Sequence, residues 1–186
     1  IRDIGVTGVQ TCALPILLAG LAAPYALAVG LRNAAYDRGL LPTSRAAVPV
    51  VSVGNLTLGG TGKTPLVAWV VRTAASRGLR PAIVSRGYGA RRGERSDEAA
   101  ELGLLLPGVP HVADRDRVEA AAAATAAGAD VVVLDDGFQH RRLARDLDIV
   151  AVDATDPFGG DRIFPRGFLR EPLAGLGRAE IGRAHV

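Results

Sequence analysis

The hydrophobic positions change period several times along the chain, and each change marks an element. Residues 17–31 (LLAGLAAPYALAVGL) are apolar and uncharged, and Arg32, Arg38 and Arg45 follow them. This run predicts a helix that Pro24 bends. Residues 48–55 (VPVVSVGN) form a short β-branched run ending at Gly54-Asn55, the pattern of a buried strand entering a loop. In residues 65–78 (PLVAWVVRTAASRG) the spacing turns helical: Leu66, Trp69, Val70 and Ala74 can share a face, and Gly78 fits a C-terminal stop. A second strand is predicted at 81–85, a short helix near 97–105, and an alanine-rich helix that ends near Gly128. Two further strands follow, at 131–135 and within DLDIVAVDA, before a Pro/Gly-rich loop, DPFGGDRIFPRGFLREPLAGL.

The predicted order β-α-β-α-α-β-β implies an α/β fold with a mostly parallel sheet flanked by helices. A chain of 186 residues suffices for one domain with a true core. The formal net charge of +3 is modest and comes almost wholly from arginine. Lys63 is the sole lysine, and it lies in a glycine-rich loop, where a compact ammonium suits phosphate. The arginines are dispersed and not interleaved with aromatic residues, which argues against a nucleic-acid binder.

That loop, GNLTLGGTGKTP, sits between a predicted strand and a predicted helix, the context in which a phosphate loop works. Gly59, Gly60 and Gly62, with Thr61 between them, let successive backbone N–H groups curl round an anion. The positive end of the helix points at the same place. Lys63 can reach the outer phosphates, and Thr64 can offer a hydroxyl to Mg2+. The spacing G-x-x-x-x-G-K-[ST] asks for a glycine where this chain has Thr57, but that glycine mainly eases the bend after the strand. Asp135 and Asp136 end the apolar run VVVLDD, where a magnesium-side acid belongs. Adjacent carboxylates repel, so one is expected to face metal and the other a basic or backbone partner. Gln139 and His140 follow at the same rim.

The 17–31 run is shorter than the roughly 20 residues a bilayer requires. It suits a membrane-surface helix with arginines at the headgroups, the apolar region of a secretory signal, or a buried core helix. A phosphate loop downstream favours the cytosol, and membrane association of residues 17–47 is the preferred expectation.

Four segments in this order, VPVVSVGNLTLGGTGKTP, SRGYG, DDGFQH and FPRGFLREPL, resemble the tetraacyldisaccharide 4'-kinase family, the lipid A kinases. The resemblance covers nearly all of residues 17–179. That family's loop has the form T-x-G-G-x-G-K-T, which accommodates Thr57. The resemblance implies a P-loop kinase domain over 48–179, ATP and Mg2+ as cofactors, and the cytosolic face of the inner membrane. The implied reaction transfers the γ-phosphate to the 4'-hydroxyl of a tetraacylated, lipid-linked glucosamine disaccharide 1-phosphate. Lys63 and Thr64 match the loop, and Asp135 and Asp136 the metal-linked acids. Asp97 matches the catalytic aspartate of a G-D-E segment, although Ser96 departs from glycine. Arg86 and Tyr88 match SRGYG, Gln139 and His140 match DDGFQH, and Arg170 and Glu171 match the REP motif, all on the substrate side. Members of the family continue into a second domain that closes over the nucleotide and supplies a histidine.

The chain ends read as translated sequencing adapter, because the codons for Thr11–Ile16 are complementary to codons for Ile181–His185. Residues 1–16 and 180–186 are therefore expected to be non-native, the second domain missing, and the fragment weakly active or inactive. Two other functions fit a phosphate loop. A membrane-associated ATPase switch would carry a further lysine where Leu58 stands. A non-catalytic nucleotide-binding scaffold would leave the acids at 97, 135 and 136 idle.

Overall fold

The computed structural model describes the backbone of residues 13–87 and 97–185 and the side chains of residues 18–87 and 99–180. Six strands, β1 (Val50–Asn55), β2 (Pro81–Ser85), β3 (His111–Ala113), β4 (Val131–Asp135), β5 (Leu147–Asp153) and β6 (Ile181–His185), form one sheet in the order β3-β2-β4-β1-β5-β6. Every pairing among them is parallel. β3 goes beyond the predicted strands because three residues carry no readable period. Residues 181–185, set aside from the fold in the sequence reading, pair as β6 along β5.

A parallel sheet covered on both faces explains the unbroken apolar runs. Successive residues of β1, β2, β4 and β5 serve opposite faces of the sheet. Val53, Ile83, Val133 and Ile149 face α2 (Lys63–Ser76) and α3 (Asp97–Leu105). Val50, Ala82, Val84, Val132 and Leu134 face α4 (Arg117–Ala126). Each such valine, isoleucine or leucine contributes roughly 1.5–3 kcal/mol by leaving water. On α4, Ala120, Ala121 and Ala124 are buried, and their short side chains let the helix lie close to the sheet. Its N-terminus is capped by Asp116, whose carboxylate accepts from the Val118 N–H at 3.0 Å.

The buried face of α2 differs from the predicted one. Leu66, Val67, Val70 and Val71 are buried, and Trp69 is exposed. Two residues of helix turn through about 200°, so Trp69 lies opposite the Val67–Val71 stripe that the sheet selects.

The first helix, α1 (Ala13–Asp37), is longer than its apolar run and continues through Pro24. The segment after it is tied back onto the domain: the Ser44 N–H donates to the Arg142 carbonyl at 2.7 Å, and Arg45 pairs with Asp146.

Candidate functional site

The loop after β1 starts extended. The Leu58 N–H donates to the Phe168 carbonyl at 2.7 Å, and the Arg170 N–H to the Leu56 carbonyl at 2.8 Å. Thr57, opposite Leu169 in an antiparallel bridge, is therefore in strand-like conformation, where a Cβ costs nothing. The turn itself comes at Gly59 and Gly62, with φ of 119° and 67°. Gly62 is the N-cap of α2 and provides no side-chain cap, so the first-turn amides are left to an outside acceptor. A Cβ at Gly59 or Gly60 would meet nothing within 4 Å, which marks an open cradle. The Thr61 hydroxyl is buried and has no hydrogen-bond partner among the described residues. An uncapped helix end, open glycine backbone and an orphaned hydroxyl fit a polyphosphate.

Parallel pairing of β1 with β4 sets Val53 beside Asp135, so the loop and the acids emerge side by side. Gly54 permits the close approach of the turn after β4, since a Cβ there would lie 2.7 Å from the Phe138 backbone nitrogen. Asp135 is buried at the strand end. Asp136 has a left-handed φ of 52°, an uncommon conformation for a residue with a Cβ. Its carboxylate lies 3.2 Å from Lys63 Nζ and accepts from Arg170 Nη1 at 2.8 and 3.0 Å. Burial pushes this carboxyl upward, but Lys63 and Arg170 outweigh it and hold it below the usual range. Asp136 is thus the acid gripped by basic partners. Lys63 Nζ also donates to Asn55 Oδ1 at 3.1 Å. Beneath them, buried Arg117 donates to the Asp136 carbonyl at 2.7 Å. Burial draws the Arg117 guanidinium below its usual range, against the pull of Asp136 and Asp135.

A cleft of about 930 Å³ opens beside these groups, within the size range of small-molecule sites. It brings together Arg86, Asp135, Asp136, Gln139, His140, Arg170 and Glu171, with Tyr25, Val29, Arg32 and Asn33 of α1 forming one wall. Asp97 opens α3, but its side chain lies outside the described residues, as does the whole of Tyr88. Glu171 is 1% exposed and is a floor residue of the cleft. Its carboxylate accepts from Arg178 Nη2 at 2.8 and 3.0 Å, Asn33 Nδ2 at 2.7 Å and Gln139 Nε2 at 3.3 Å. Gln139 Nε2 also donates to the Asn55 carbonyl at 2.9 Å, which joins the floor to the phosphate loop.

Sequence reasoning missed Asn55, Arg117, Arg178 and Asn33. Asn55, the carboxamide immediately ahead of the loop, was the one with a local signal. Arg178 acts across 7 residues, with Glu171, Arg117 across 19, with Asp136, and Asn33 across 138, with Glu171.

His140 has a depressed pKa, to about 4, through burial first and then the charges of Arg117, Arg142 and Arg145, with Asp116 opposing. The unfolded chain therefore binds the proton more readily, starting near the ordinary value of 6.5. Stability from this group is complete above that value and is lost as pH falls towards about 4. His140→Gln is expected to flatten the melting-temperature profile in that window relative to the unsubstituted chain. Parallel profiles for the two proteins would contradict a half-buried, neutral imidazole.

A family model described as tetraacyldisaccharide-1-P 4'-kinase matches residues 14–182. A tetraacyldisaccharide 4'-kinase of Anaeromyxobacter dehalogenans (strain 2CP-C) is 50% identical over 184 residues, spanning 90% of this chain and 48% of that protein. One from Chlorobium luteolum is 45% identical over 196 residues, spanning 90% and 53%. The crystal structure of the "apo" form of LpxK from Aquifex aeolicus in complex with ATP superposes with a TM-score of 0.82 at 36% identity, covering 92% of this chain and 58% of that one. The chain spans about half the length of the curated relatives it matches.

Proposed function

This chain belongs to the tetraacyldisaccharide-1-P 4'-kinase family, and on that premise we propose that it forms the nucleotide-binding part of a lipid A kinase. The reaction is transfer of the γ-phosphate of ATP to the 4'-hydroxyl of a tetraacylated glucosamine disaccharide 1-phosphate. The observation that carries this reading is the meeting of Lys63 Nζ and the Asp136 carboxylate, 3.2 Å apart, at an uncapped, glycine-edged helix end.

The amides of Gly59, Gly60, Thr61 and Gly62 and the first turn of α2 hold the phosphate oxygens, and Lys63 moves from Asp136 onto them. Thr64, Asp135 and Asp136 would hold Mg2+, which when bound neutralises charge on the β- and γ-phosphates. Arg170 and Arg86 keep the acceptor side of the cleft positive. Asp97 accepts the hydroxyl proton, a role that rests on its motif alone.

We assign the working position to the cytoplasmic face of the bacterial inner membrane. Among the described residues no helix is long and apolar enough to cross a membrane. The outward face of α1 is apolar at helical spacing, with Leu21, Leu27 and Leu31 each more than half exposed. Phe164 and Phe168 are exposed too. Such a face suits a helix lying in the headgroup boundary, where the acylated acceptor is found. The switch and scaffold readings have no comparable support: the loop holds Leu58 where a switch would need lysine, and the Asp136 carboxylate is engaged by Lys63 and Arg170 rather than idle.

Isothermal titration calorimetry with ATP, with and without Mg2+, tests the core of the proposal. Magnesium-dependent binding by the folded chain is expected. Heat identical to buffer in both titrations would end it.

A further inference from the structure

Within α1 three polar side chains reach inward to the segments that carry the site. The Tyr25 hydroxyl donates to the Arg170 carbonyl at 2.9 Å, Arg32 Nη2 to the Gln139 carbonyl at 3.0 Å, and Asn33 Nδ2 to Glu171 Oε2 at 2.7 Å. Asparagine is a poor helix former in a helix interior, so its presence at 33 is not explained by the helix. The explanation lies in its partner. Glu171 is a charged group removed from water, and such a group is tolerated only when its oxygens are fully bonded. Arg178 supplies one positive charge, and its guanidinium also lies 4.7 Å from the centre of the Phe138 ring. Asn33 supplies a further donor without adding charge. Glu171 also holds Gln139 and directly follows Arg170, which grips Asp136.

We propose that Asn33 is a positioning residue for the acceptor half of the cleft: through the Glu171 carboxylate it docks α1 and sets the acceptor-side wall. The inference rests on the kinase reading above. Among the described residues the Asn33 side chain hydrogen-bonds Glu171 and neither the loop nor Asp136. Gln139 keeps its separate bond to the Asn55 carbonyl when Glu171 shifts. The effect of altering Asn33 therefore falls on the lipid acceptor and spares the nucleotide.

The test uses the full-length protein, with a tetraacylated disaccharide 1-phosphate in mixed micelles and ATP·Mg2+. Asn33→Asp sets a second carboxylate against that of Glu171, and a tenfold or greater rise in acceptor KM is expected, with ATP KM within about twofold. The double variant N33D/E171Q restores one carboxylate and one amide in reversed places, and recovers most of the acceptor KM. An acceptor KM unchanged in N33D overturns the inference. So does an equal rise in both KM values, or a double variant no better than the single one, since either marks general damage. Should N33D not fold, Asn33→Ser, which is too short to reach Glu171, is measured the same way against the same thresholds. Failure of the kinase reading is distinguishable: the unsubstituted protein itself then shows no ATP-dependent transfer.

Discussion

Replacing Lys63 with alanine is expected to lower phosphoryl transfer by the full-length protein by about 10²–10³-fold or more, the range for removing one preorganised charge from a transition state. The reason is local. Lys63 is the chain's sole lysine, its side chain is only 11% exposed, and it directly follows Gly62 at the uncapped end of α2. Its present partners show how it is poised. Asp136 and Asn55 hold the ammonium at 3.2 and 3.1 Å, directed along the helix end rather than out to solvent. The fold should survive, because Asp136 keeps Arg170 as a counter-charge. ATP affinity by calorimetry should fall along with the rate, while the melting temperature changes little. Lys63→Arg should not rescue the rate, since a planar fork cannot stand in for a compact ammonium within a cradle of backbone amides. An alanine variant that turns over within a few-fold of the unsubstituted protein would remove the loop from the mechanism.

The largest effect on stability is expected at Arg145. Its guanidinium is 10% exposed, pairs with Asp148 at 2.6 Å, and donates to the carbonyls of Phe138, His140 and Leu143. Asp148 is 5% exposed, and its second oxygen has no other partner among the described residues. Arg145→Met leaves this carboxylate buried without a counter-charge. Breaking a buried pair from one side costs about 3–5 kcal/mol, roughly 10 °C of melting temperature for a chain of this size. The double variant R145M/D148N removes the stranded charge as well and should recover a substantial part. Urea titration reads both effects. A loss under about 1 kcal/mol would mean that Asp148 reaches water more freely than its burial implies. The same substitution releases the three carbonyls of the segment carrying Gln139 and His140, so it should loosen the site as well as the core.

Much of this molecule is legible in one dimension because its chemistry is local there. A β-branched run, the loop glycines Gly59, Gly60 and Gly62 and a Lys-Thr pair lie within 17 residues of chain, from Val48 to Thr64, and backbone geometry alone makes them a strand, an amide cradle and a helix start. VVVLDD likewise announces a buried strand with acids at its end. Other features had no local signal. Trp69 satisfies the helical period as well as Val67 does, and only the sheet beneath α2 decides which of them is covered. β3 is too short to show a period.

The sequence by itself determined the fold class and the phosphate loop, since both follow from propensities and spacings over a few residues. Only the tertiary structure decided that Asp136 is gripped by Lys63 and Arg170, that Glu171 is a buried hub rather than an exposed contact, and that α1 turns Asn33 inward and Leu21, Leu27 and Leu31 outward. Those outcomes depend on strand register and on pairs such as Arg170 with Asp136 and Asn33 with Glu171, separated by 34 and 138 residues. Such distant groups meet only after the sheet has assembled, because their energies are set by burial and by partners that no short window contains.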